Sequence, residues 1–119
     1  MPVAKVGAVV LDCADPRALA GFYAGLVGGT IKEEDGWVDL QVPGGPVLAF
    51  QEAPGHVPPR WPAPDRSQQF HLDLTVEDLD AAEKEALALG AEPLETEDRS
   101  RSFRVYADPA GHPFCLCAC

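Results

Sequence analysis

Apolar residues recur along this chain at two alternating periods, and the whole alternation comes round twice. Leu19, Phe22, Tyr23 and Leu26 stand at i, i+3, i+4 and i+7, one stripe of a helix. Asp15-Pro16 precedes the stripe. An aspartate side chain accepts from an orphan N–H at a helix start, and proline suits the first helical position. Gly28-Gly29 stops the pattern, so a helix is predicted over Pro16–Val27. Asp78 repeats the start, Leu79, Ala82, Ala86 and Leu89 repeat the stripe, and Gly90 repeats the stop. That predicts a second helix over Leu79–Leu89.

Strand-like runs surround each helix. Val6–Leu11 precedes the first, and Thr30–Glu33, Trp37–Val42 and Val47–Gln51 follow it. Phe70–Val76 precedes the second, and Glu92–Glu95, Phe103–Ala107 and Pro113–Cys117 follow. Pro43-Gly44-Gly45-Pro46 and Asp108-Pro109-Ala110-Gly111 carry turn chemistry between the last two strands of each half. The order is β-α-β-β-β, written twice. Between the copies, Ala53–Gln68 holds Pro54, Pro58, Pro59, Pro62 and Pro64. Prolines lack the N–H that a sheet ladder needs, so a stiff connector is expected there, with a lid over a cavity as the sharper alternative. The expected organisation is one domain over residues 1–119: a first module over about 3–52, the connector over 53–68, and a second module over about 69–119.

Composition narrows the partners. Hydrophobic residues are 46% and charged residues 24% of the chain, which excludes a disordered segment. Nineteen acids against nine bases give a net charge of −10, the wrong sign for a nucleic-acid backbone or an anionic membrane surface. No apolar run approaches the ~20 residues of a membrane span. Met1–Lys5 shows no basic region leading into an apolar stretch, and three of the four cysteines crowd into the last five residues. A cytoplasmic protein with reduced thiols is therefore expected.

Two such modules, the second ending Asp108-Pro-Ala-Gly-His-Pro-Phe-Cys-Leu116, resemble the vicinal oxygen chelate superfamily, which includes glyoxalase I, extradiol dioxygenases and bleomycin-resistance proteins. Phe70–Asp80, with Asp12–Pro16 and Phe22-Tyr23, is most similar to its glyoxalase-like subgroup. The resemblance implies an α+β fold, two tandem βαβββ modules curling a mixed sheet into a cup with helices on the outer face. It also implies a homodimer. Family metal-ligand positions carried onto this chain fall at Ala8, Ala49, His71 and Cys115. Alanine has no donor atom, and His71 with a Cys115 thiolate gives two ligands where a divalent ion takes three or more. No cofactor is expected on that count; a divalent metal (zinc, nickel or iron) is the less favoured reading.

Alternation along the strands supplies the other candidates. His71, Asp73 and Thr75 share one face of the Phe70–Val76 run, and Leu72, Leu74 and Val76 the other. His71 and Asp73 could serve as a general base and its orienting partner, or as a polar wall that fixes a ligand. Trp37 and Asp39 are expected to face the cavity too, as is Gln51, which shares a face with Ala49. Trp61 lies in the connector, where it could cover apolar surface or rim a cavity. In Phe103–Ala107, polarity favours Arg104 and Tyr106 as cavity-facing, whereas alignment of the two copies favours the other pair. Cys115, Cys117 and Cys119 share a strand face at ~6.7 Å spacing, wide for joint chelation, and are expected to be unreactive thiols, Cys119 at an exposed end.

Three functions follow. The preferred one is a metal-independent protein that binds a small molecule in the cup, as bleomycin-resistance proteins do. The second is an enzyme, a glyoxalase-type lyase or isomerase using a residual metal or His71. The third is a vestigial cup serving protein interaction.

Overall fold

Asp15 Oδ1 accepts from the Ala18 N–H at 3.1 Å and starts helix α1, Pro16–Val27, at the predicted residues. Asp78 Oδ1 does the same for α2, Leu79–Leu89, from the Asp80 and Ala81 N–H groups. Gly90 ends α2 in the left-handed conformation, φ 113°, which a side chain would strain. The computed structural model describes residues 6–61 and 70–118. Pro62, Pro64 and Gln68 of the connector, and Cys119, lie outside them.

The chain divides into two compact units at His56/Val57, inside the connector. The first holds β1 (Ala8–Cys13), α1, β2 (Thr30–Glu34), β3 (Trp37–Gln41) and β4 (Val47–Glu52). Its sheet runs β1-β4-β3-β2, with β1 parallel to β4 and the other pairs antiparallel. The second holds β5 (Leu72–Thr75), α2, β6 (Glu92–Glu95), β7 (Phe103–Ala107) and β8 (Pro113–Cys117), ordered β5-β8-β7-β6 with the same senses. This is an α+β architecture of two modules with one topology.

Each helix covers one face of its own sheet by different means. α1 buries Leu19, Ala20, Phe22 and Tyr23, and Tyr23 stacks on Phe50 of β4 at 5.9 Å between ring centroids. Each large apolar side chain buried this way contributes roughly 1.5–3 kcal/mol. α2 buries only Ala86 fully. It holds its sheet through charge instead. Arg104 of β7, 4% exposed, donates Nη2 to Asp80 Oδ1 at 2.9 Å and places Nη1 3.6 Å from Glu83 Oε2. The Tyr106 hydroxyl donates to Glu83 Oε1 at 2.8 Å, and Arg99 adds a further pair to the same carboxylate.

That placement corrects one expectation. Arg104 and Tyr106 turn toward α2, not away from it. Val105, opposite Cys115 and hence on the face of Asp73, takes the other side, as alignment of the two copies required. The physical reason is on the helix: Asp80 and Glu83, three residues apart, present carboxylates to the sheet beside a stripe too small to dock by itself.

Pro58, near the start of the second unit, lies against the turn before β8. Asp108, 3% exposed, accepts from the Ala110 and His112 N–H groups and shapes the turn before β8. Gly111 in that turn has φ +91°, and a Cβ there would overlap the Pro58 ring. Cys13 and Cys115 are buried thiols that form no disulfide, and Cys13 Sγ donates to the Gln51 carbonyl. Cys117 is disulfide-bonded, against the expectation of uniformly reduced thiols.

Two outcomes test these packing arguments. Burial pulls the Glu83 carboxyl upward, but hydrogen bonds from Arg99 and Tyr106 and the charges of Arg99 and Arg104 outweigh it, leaving a net value below the ordinary 4.5. A carboxyl lowered on folding stabilises fully above its unfolded value and loses that contribution as pH falls through its folded value. Glu83→Ala should therefore cost about 1–3 kcal/mol at pH 7, because it strands Arg104 and the Tyr106 hydroxyl. The deficit should shrink below pH 4, as read by urea denaturation across pH. Gly111→Ala should cost about 1–3 kcal/mol through backbone strain and shift the Trp61 fluorescence by moving Pro58; unchanged stability and emission would contradict the contact.

Candidate functional site

The register of β5 on β8 decides which side chains meet. Leu72 pairs with Phe114 and Leu74 with Leu116, while Asp73 pairs with Cys115 and Thr75 with Cys117. Partners across a ladder share a face, so Asp73, Thr75, Cys115 and Val105 lie on the side opposite α2. His71, one residue before β5, brings Nε2 to 3.1 Å from Asp73 Oδ1. Alternation predicted the shared face; direct contact is closer than the ~7 Å backbone spacing alone implies.

Cys115 joins the same pair. One ligand-type atom each from His71, Asp73 and Cys115 lies within 4.8 Å of the other two. Asp73 is the member missed by counting donors at the four family positions. The signal available for it was its cross-strand neighbour: a donor two residues after His71 meets Cys115 when β5 and β8 are parallel and in this register. Burial pushes the Cys115 thiol up to about 11, and the charge of Asp73, the hydrogen bond to it and the charge of Glu95 push the same way. At neutral pH this thiol keeps its proton and donates it to the carboxylate.

Trp61 borders the cluster. Its ring meets the His71 imidazole edge-on, 6.2 Å between centroids. Trp61 Nε1 is buried and has no hydrogen-bond partner among the described residues. A buried indole N–H normally finds an acceptor.

The first sheet carries its own candidates on the face opposite α1. Trp37 Nε1 donates to Asp39 Oδ1 at 2.7 Å. Gln51, the register partner of Trp37, donates to Asp12 Oδ1 at 3.0 Å. Ala8 and Ala49 occupy this face as well, with Val10 directly opposite Ala49. None of these three has a donor side chain. The arrangement thus brings together Trp61, His71, Asp73 and Cys115 in the second unit and Trp37, Asp39 and Gln51 in the first, and it sets Arg104 and Tyr106 to the helix side.

The donor set in the second unit fits a divalent cation in kind: one imidazole nitrogen, one carboxylate oxygen and one sulfur. Among the described residues no helix is long and apolar enough to cross a membrane.

Comparison with known proteins agrees with the architecture. In fold the chain is similar to a glyoxalase/bleomycin resistance protein/dioxygenase family enzyme from Burkholderia phytofirmans PsJN, with TM-score 0.72 and 18% identity over 95% of this chain and 97% of that one. It is similar to the fosfomycin resistance protein FosX from Listeria monocytogenes, solved with Mn(II), with TM-score 0.72 and 15% identity over 99% and 91%. It is also similar to TnmS3, an antibiotic binding protein from Streptomyces sp. CB03234, with TM-score 0.61 and 19% identity over 98% and 97%. At such identities the likeness concerns the fold. No curated protein sequence matches the chain. The glyoxalase-like domain profile matches residues 8–117, and with the repeated βαβββ topology this places the chain in the glyoxalase-like domain family.

Proposed function

We propose that the chain binds a small organic molecule on the face of its second sheet opposite α2, and that this binding requires no metal. The observation that carries the reading is the meeting of a polar cluster, His71, Asp73 and Cys115, with a buried indole donor at Trp61 that lacks a partner among the described residues. Hydrogen-bonding groups set on an apolar scaffold are what fix a ligand's orientation. Val105, fully buried, supplies the apolar floor next to Cys115. The net charge of −10 favours cationic or neutral ligands over anionic ones. An antibiotic-binding protein and a fosfomycin resistance protein share the fold, which supports a search among antibiotics.

A second reading rests on one contact. His71 Nε2 at 3.1 Å from Asp73 is the geometry of a base with its orienting carboxylate, as a lyase or isomerase would use. Turnover separates the two readings.

The test is a thermal-shift screen of cationic and aromatic antibiotics, bleomycin among them, with excess chelator present, followed by titration of the hits. Binding should survive the chelator. His71→Ala should weaken it by about 0.5–1.5 kcal/mol, the worth of one neutral hydrogen bond. Chelator-sensitive turnover of a glutathione hemithioacetal, with no ligand retained, would overturn the binding reading in favour of the lyase.

A further inference from the structure

Topology gives the two helices one task, and their side chains perform it on different terms. α1 presses Leu19, Phe22 and Tyr23 into its sheet, a contact that acid does not touch. The Arg17–Glu33 pair at its first turn is exposed and adds little. α2 fully buries Ala86 alone. Leu72 and Leu74 of β5, on the side of α2, are half-buried, and Leu87 and Leu89 of the helix are exposed. Apolar area is therefore a weak hold on this helix.

The stronger hold converges on Glu83, whose side chain is 16% exposed. From β7 come the Tyr106 hydroxyl at 2.8 Å and Arg104 Nη1 at 3.6 Å. From the segment between β6 and β7 comes Arg99 Nη1 at 3.2 Å. Asp80, three residues earlier on α2, takes Arg104 Nη2 at 2.9 Å, but 83% of its side chain is exposed. Lys84 and Glu85, next along the helix, are exposed. β5 and β8 turn Leu72, Leu74, Phe114 and Leu116 to this side, none of which titrates.

Arg104 is nearly sealed from solvent, and its Nε finds no hydrogen-bond acceptor among the described residues. A guanidinium taken out of water needs an ionised partner that is out of water too. Asp80 is screened by solvent, so that partner is Glu83. A proton on Glu83 leaves the Arg104 charge buried without it, and lifting α2 lets water reach the guanidinium. Burial raises the Glu83 carboxyl, while hydrogen bonds from Arg99 and Tyr106 and the charges of Arg99 and Arg104 lower it further, to a net value below 4.5. The hold is thus complete above that value and is lost as pH falls through the lowered one.

We propose that α2 is a charge latch, docked while Glu83 is ionised and released when Glu83 is neutralised, with α1 and both sheets kept in place. A free helix of 11 residues is marginal in water, so release appears as lost protection of its amides. The latch lies on the side of the sheet away from His71, Asp73 and Cys115, and it does not rest on the binding reading.

Hydrogen exchange of the full chain, read by mass spectrometry, tests the latch with α1 as the internal control. Protection is taken relative to an unstructured chain at the same pH. Between pH 7 and about pH 3, α2 protection should fall about tenfold or more while α1 changes by less than about threefold. Glu83→Gln should release α2 at pH 7 to the same degree and remove the further response to acid. Loss of protection in α1 together with α2, in acid or in the variant, would overturn the latch, because the carboxylate would then hold the whole fold. So would a folded Glu83→Gln chain with α2 protected as in the wild type. The wild-type acid series decides without any variant: α2 protection unchanged down to about pH 3 would also overturn it.

Discussion

The parallel pairing of each unit's first strand with its last is the constraint from which the remaining arrangement follows. β1 on β4 and β5 on β8 are joined across an intervening helix and hairpin, because parallel neighbours need a crossover connection. Side chains alternate with period two, so a one-residue slip would turn every one of them to the other face. In the second unit the register that puts Leu72 and Leu74 on the α2 side beside Phe114 and Leu116 also sets Asp73 beside Cys115. Apolar burial thereby positions the polar cluster. The chemistry on one face is held in place by packing on the other.

The two units solve the helix-docking problem differently, and the difference bears on where charge is found. α1 brings Leu19, Phe22 and Tyr23 to its sheet and relies on apolar area and the Tyr23–Phe50 stack. α2 offers mainly alanines and relies on Asp80 and Glu83 against Arg104 and Tyr106. Arg104 is nearly sealed from solvent, and an arginine in that position is tolerable only while its carboxylates remain ionised. The polar residues of β7 therefore serve the fold. The face opposite α2 carries the buried Val105 at this point of the sheet, which leaves recognition to β5, β8 and Trp61.

Much of the architecture was legible in the sequence because its signals are local. Asp15-Pro16 and Asp78 start the helices, Gly28 and Gly90 stop them, and both helices begin and end at the predicted residues. The strands Glu92–Glu95, Phe103–Ala107 and Pro113–Cys117 also coincide with expectation, while the first strand of each half is displaced or shortened by about two residues. What local pattern does not encode is which neighbour a residue meets across the sheet. Arg104 and Tyr106 looked cavity-facing by polarity because Asp80 and Glu83, twenty or more residues away, were not yet opposite them. Asp73 was read as an orienting partner for His71 and not as a third donor for the same reason: its relation to Cys115 exists only in the register.

A glyoxalase-like scaffold hosts many chemistries, so function here has to be argued from the side chains and not from the fold. The account assigns the recognition chemistry to one meeting point, where His71, Asp73 and Cys115 converge beside Trp61. A high-resolution crystal structure of the metal-free protein tests that convergence most directly. The account predicts Asp73 opposite Cys115 on the face away from α2, His71 Nε2 within hydrogen-bond distance of the Asp73 carboxylate, and the Cys115 sulfur alongside. A slipped register that puts Leu72 or Leu74 opposite Cys115, or a His71 ring turned away from Asp73, would contradict it.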